Sequence, residues 1–103
     1  MSSLNREALM TFARVVSFEG LDKQRMDEVK REMDEGGRPD NVPATELLVL
    51  HDPEAEKSRV VLFFESEDDY RRGDEALNAI PAGDTPGRRT SVTKYEVASR
   101  MTA

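Results

Sequence analysis

Five apolar residues in a row, Val60, Val61, Leu62, Phe63 and Phe64, stand out in a sequence where charged and apolar positions are closely mixed. A run this short, rich in β-branched and aromatic side chains and followed at once by a helix-start signal at Ser66, predicts a strand over residues 58–65 buried on both faces. Such a strand belongs in the middle of a sheet. Residues 11–18 predict a second strand of this kind, with Phe12, Val16 and Phe18 on one face and Ala13 and Val15 on the other. Arg14 shares the parity of Phe12 and Val16. A third apolar run spans residues 46–51, and the polar connection 52–57 is too short for anything but an antiparallel hairpin into the central strand. Residues 90–98 predict a fourth strand, more polar, as an edge strand is.

Two helices separate these strands. Asp22 is placed as an N-cap, with Leu21 and Met26 at the spacing of a hydrophobic staple, and Met26, Val29 and Met33 form one narrow apolar stripe. Gly36, Gly37 and Pro39 stop this helix at about residue 35. The second begins at Ser66, which forms a capping box with Asp69, and its stripe is Tyr70, Gly73, Leu77 and Ile80, ending at Pro81. Glu67 with Arg71 and Asp68 with Arg72 are expected as i, i+4 ion pairs. A glycine inside a helix stripe costs ~1 kcal/mol of helix propensity, so Gly73 predicts a close approach of helix to sheet.

The order is βαββαβ, a ferredoxin-like α+β domain over residues 11–98, between an N-terminal arm (1–10) and a C-terminal tail (99–103). Right-handed crossovers put the first and third strands at the centre of a four-stranded antiparallel sheet, with both helices on one face. The other face then carries Val61 and Phe63 uncovered. At ~25 cal/mol per Å², leaving several such side chains in water costs several kcal/mol, a large share of a small domain's net ~5–15 kcal/mol. A homodimer closed through the helix-free sheet face is the expected remedy.

The formal charge of −6 over 103 residues speaks against nucleic acid or an anionic membrane as partner, since both are held by clustered Lys and Arg. There is no cysteine, hence no disulfide framework, thiolate metal site or thiol nucleophile. No apolar run approaches the ~20 residues of a spanning helix, and a cytoplasmic location is expected.

Candidate chemistry is sparse. His51 is the single histidine, and Asp52, Glu54 and Glu56 lack the register of a calcium loop. Glycine-rich phosphate loops and a serine nucleophile elbow are absent. No cofactor and no metal site is expected. With the first and third strands taken to run the same way, the end of strand two, the start of strand one, and the ends of strand four and helix two fall at one end of the fold. That groups His51, Arg14, Asn78 and Tyr95: a base, a cation, an amide and a phenol, a set that suits ligand orientation or proton abstraction.

In element order, in the strand RVVSFEGL with its following helix, in VVLFFESEDDYRRGDEAL and in the closing TSVTKYEV, residues 11–98 resemble the dimeric α/β barrel superfamily. Antibiotic-biosynthesis-monooxygenase-like, muconolactone-isomerase-like and chlorite-dismutase-like proteins belong to it. The resemblance implies protomers pairing their sheets into a barrel, and a pocket between sheet and helices. From it come two functional readings: a cofactor-independent monooxygenase-like enzyme acting on a small apolar or aromatic compound, or a non-catalytic dimeric binding or structural module.

Overall fold

The computed structural model describes residues 11–36, 41–80 and 87–101. The proposed N-terminal arm, Gly37, Pro39 and Pro81 lie outside the described residues. The elements run β1 (Phe12–Glu19), α1 (Lys23–Gly36), β2 (Glu46–Asp52), β3 (Lys57–Phe64), α2 (Glu67–Asn78) and β4 (Arg88–Glu96). The strands form one four-stranded sheet in the order β2-β3-β1-β4, and every neighbouring pair is antiparallel. This is the ferredoxin-like arrangement, with the two strands that are apolar on both sides at its centre.

One sequence expectation is corrected here. β1 and β3 run in opposite directions, not the same one. The reason is topological: a helical crossover returns β2 in the direction of β1, and the tight hairpin reverses the chain into β3. The start of β1 therefore lies beside the end of β3, with Phe12 opposite Phe64, while the end of β2 lies beside the start of β3, with Asp52 opposite Lys57.

Alternation assigns the two faces. Phe12, Arg14, Val16 and Phe18 share a face with Leu62, Phe64, Leu47, Val49 and His51. Both helices cover that side. Under α2, Phe12, Leu62, Phe64 and Tyr70 form a buried cluster with Val42 and Ala44. Under α1, Leu21, Met26 and Val29 pack with Met33 and Val49.

The caps act as the sequence suggests. Arg25 N–H donates to Asp22 Oδ1 at 2.8 Å, and Asp69 N–H donates to Ser66 Oγ at 3.0 Å. The ion pairs on α2 differ from expectation: Asp68 meets Arg71 and Asp69 meets Arg72, one residue closer than i, i+4, while Glu67 reaches Lys94 at 3.4 Å. Tyr70 and Gly73 are the buried residues of α2, and Ile80 falls beyond its end and is 37% exposed. A Cβ on Gly73 would lie 2.4 Å from Cε1 of Phe64, so only glycine lets α2 settle onto that ring. At the far end of the sheet, Gly87 (φ 151°) passes so close to the Glu19 carbonyl that a Cβ would sit 2.8 Å from its oxygen. Among the described residues no helix is long and apolar enough to cross a membrane.

Candidate functional site

Three places in the structure bear on function. The first surrounds Arg14, which projects from the middle of β1 toward α2 and is only 2% exposed. Its Nε donates to Asp74 Oδ1 at 2.8 Å and an Nη donates to Asn78 Oδ1 at 3.0 Å. Asn78 Oδ1 also accepts from Arg89 at 2.8 Å, and Asn78 Nδ2 donates to Asp74 Oδ2 at 3.3 Å. Arg14 and Asn78 are thus brought together as grouped from the sequence. Asp74, unremarked there, supplies the charge that makes burial of the guanidinium affordable. Asp74 is four residues before Asn78, so both fall on one side of α2; that spacing was the available signal. With its fork engaged by its own chain, Arg14 ties α2 to β1.

Beside this network Tyr70 meets Phe64 and Phe12 edge-on, with ring centroids 5.4 and 6.4 Å apart. Lys94 Nζ stands 4.8 Å from the Phe12 centroid and 5.0 Å from that of Tyr70. Burial raises the Tyr70 pKa, Asp74 adds to the rise, and Arg14 opposes it. These aromatic side chains fill the space between α2 and the sheet, where the superfamily resemblance implies a pocket.

The second place is His51. It lies on the helix side of β2, opposite Ser58, at the other end of the sheet from the start of β1. Four residues at ~3.3 Å each and two strand spacings separate its row from that of Arg14. Nε2 is 2.9 Å from the Leu21 carbonyl oxygen; a carbonyl only accepts, so Nε2 carries the proton. Leu21 N–H in turn donates to the Glu56 carbonyl at 3.0 Å, so His51 and the hairpin turn together fasten the entry of α1. Tyr95 is separated more completely: it pairs with Ala13 on the helix-free face and is 53% exposed. The grouping of His51, Arg14, Asn78 and Tyr95 in one neighbourhood is therefore corrected, because antiparallel β1 and β3 send His51 to one end and alternation sends Tyr95 through the sheet.

The third place lies at the end where β2 finishes, the end of the sheet at which the sequence places a site, and His51 is among the residues that line it, although its other walls are not the residues grouped there. A cleft of about 460 Å³ opens on the helix-free face, at the end where β1 finishes and β3 begins. Ser17, Glu19, Leu50, Asp52, Lys57, Arg59 and Ser91 line it from the open-face parity. Leu50 supplies its apolar wall and is 51% exposed; Arg59 and Lys57 supply positive charge and Glu19 and Asp52 negative. The signal was present in β3, whose odd positions read Lys57, Arg59, Val61, Phe63: charged at one end, apolar at the other. No group of three His, Asp or Glu side chains among the described residues is arranged to hold a metal ion.

Comparison of this chain with family models, with curated proteins and with solved structures finds no match.

Proposed function

We propose that this protein is a homodimeric binding module, closed through its helix-free sheet face as in a dimeric α/β barrel, that holds a small apolar or aromatic molecule in the cleft beside Leu50. The observation that carries the reading is the apolar surface on that face. Leu48, Leu50 and Tyr95 are 40, 51 and 53% exposed, with Val15, Val61 and Phe63 half-buried between them. Full burial of such a side chain stabilises by ~1.5–3 kcal/mol, so covering Leu48 and Tyr95 on both copies, with Leu50 left to the cleft, gives roughly 4 kcal/mol. That is of the order of the ~4–15 kcal/mol cost of association, and Val15, Val61 and Phe63 add to it.

The cleft falls within the ~300–1,000 Å³ usual for small-molecule sites. The monooxygenase-like reading rests on resemblance alone. Arg14 is occupied by Asp74 and Asn78, His51 by Leu21, and Phe12, Leu62, Phe64 and Tyr70 fill the space under α2. Titration with an environment-sensitive aromatic fluorophore tests the binding site. Saturable binding that Leu50→Asp abolishes is expected. Non-saturable binding, or binding indifferent to Leu50→Asp, would contradict the assignment to this cleft.

A further inference from the structure

The register of the sheet sorts the helix-free face into four rows. Asp52, Lys57, Glu19 and Arg88 form the row at the cleft end, four charges of alternating sign across β2, β3, β1 and β4. Leu50, Arg59, Ser17 and Ser91 follow, then Leu48, Val61, Val15 and Thr93. At the other end stand Glu46, Phe63, Ala13 and Tyr95, where Arg100 of the tail pairs with Glu46 and lies 4.7 Å over the Phe63 ring centroid. One end of the face is thus charged and the other apolar.

Resting on the dimeric reading above, we infer that the two copies meet with their two-fold axis along the strands, so that charged end meets charged end and apolar end meets apolar end. A face-to-face pair related by a two-fold has its axis in the plane between the sheets, along the strands or across them. With the axis along the strands, β3 lies over β1 of the second copy and β2 over β4. In the aligned arrangement Lys57 then faces Glu19 of the second copy, Asp52 faces its Arg88, Val61 faces its Val15 and Phe63 faces its Ala13. Every charge in the row meets its opposite, and the larger apolar side chain of β3 meets a smaller one of β1. Rotating the sheets by the ~30° usual for aligned packing still leaves the charged ends together.

The axis across the strands does the reverse. It lays each strand over its own copy head to tail, so that Lys57 falls on Phe63, Arg59 on Val61 and Asp52 on Glu46. Charges would then be desolvated against apolar side chains or set against like charges, which is unfavourable wherever no partner compensates.

Two edge substitutions separate the arrangements. Asp52→Lys leaves the row with three positive charges and one negative, and Arg88→Glu leaves three negative and one positive. With the axis along the strands each variant repels itself and attracts the other. The dissociation constant of each homodimer should rise about tenfold, as expected for two altered charge pairs of ~0.2–1 kcal/mol each, and a mixture should give mainly heterodimer in native mass spectrometry. With the axis across the strands the lysine of Asp52→Lys would face Glu46 of the second copy and the glutamate of Arg88→Glu its Tyr95, so Asp52→Lys dimerises at least as tightly as the unmodified chain, Arg88→Glu is little changed, and the mixture is statistical; that outcome overturns the inference while leaving the dimer intact. A monomeric unmodified chain would instead overturn the dimeric reading itself, leaving the face to a different partner. Should either variant fail to fold, as judged by circular dichroism, the salt dependence of the unmodified dimer decides. Weakening with added salt supports facing charged rows, and indifference contradicts them.

Discussion

Along β3, Leu62 and Phe64 are almost wholly enclosed, whereas Val61 and Phe63, each one residue away, remain partly open to water. The backbone, the hydrogen-bonded neighbours and the side-chain types are nearly the same; the difference is what lies on top. On one side α2 presses a glycine against Phe64 and a tyrosine against its edge. On the other, Arg100 crosses above Phe63, while Leu48, Leu50 and Tyr95 stay open to water. The proposed dimer accounts for a sheet with one finished face and one unfinished face, and substitutions of one kind placed on both faces should then have different consequences.

The largest contrast comes from one carboxylate on either side. Leu62→Asp buries a charge with no partner and should remove more than ~4 kcal/mol, enough to abolish folding in a domain of ~5–15 kcal/mol. Val61→Asp should leave the protomer's circular dichroism intact while dissociating the dimer. Urea denaturation checks the first and sedimentation velocity the second; equal loss of folding from both would erase the contrast.

Next comes the ion pair under α2. Asp74→Ala leaves the Arg14 guanidinium enclosed without its counter-charge. The expected loss is ~2–3 kcal/mol, below the ~3–5 kcal/mol of a fully buried pair because Asp74 is a third exposed. Replacing both, as Arg14→Met with Asp74→Leu, should recover most of it. Denaturation midpoints at constant slope measure this, and a silent Asp74→Ala would show that the pair does not hold α2 down.

Gly73→Leu should cost ~1–3 kcal/mol by overpacking against Phe64, without changing the association state. A raised melting temperature would count against the close approach.

The smallest effect is in pH. Folding raises the Tyr70 pKa above its ordinary 10.0, chiefly through burial, with Asp74 adding and Arg14 opposing. The unfolded chain therefore releases this proton first, and the stability it contributes is complete below pH 10 and lost as pH climbs through the folded value. Tyr70→Phe should remove that share of the alkaline loss, measured as the difference in unfolding free energy between pH 9 and pH 11.

Much of the fold was legible because its signals are local. Two strands apolar on both sides, the caps at Asp22 and Ser66, and a glycine in a helix stripe each carry their meaning within a few residues. The parity of Arg14 with Phe12 and Val16 was legible as well, but that this face is the one under the helices came only with the structure. What was illegible depended on strand direction and on partners distant in sequence. Taking β1 and β3 as parallel drew His51 toward Arg14, and one residue of alternation decided that Tyr95 faces away from both. The i, i+4 pairs on α2 yielded to i, i+3 ones, with Glu67 drawn off by Lys94, a contact no helical spacing announces. Of the cleft only its end of the sheet and His51 were legible, because its walls come from all four strands, and the alternating row of Asp52, Lys57, Glu19 and Arg88 exists only once the register is known.

In the proposed dimer a second copy covers the helix-free face, and multi-angle light scattering across micromolar concentrations reports its mass. A molar mass near twice the 11.6 kDa of one chain is expected for the unmodified protein, and that of a single chain for Val61→Asp. A unmodified protein that stays at 11.6 kDa throughout that range, with its folded circular dichroism unchanged, would contradict it.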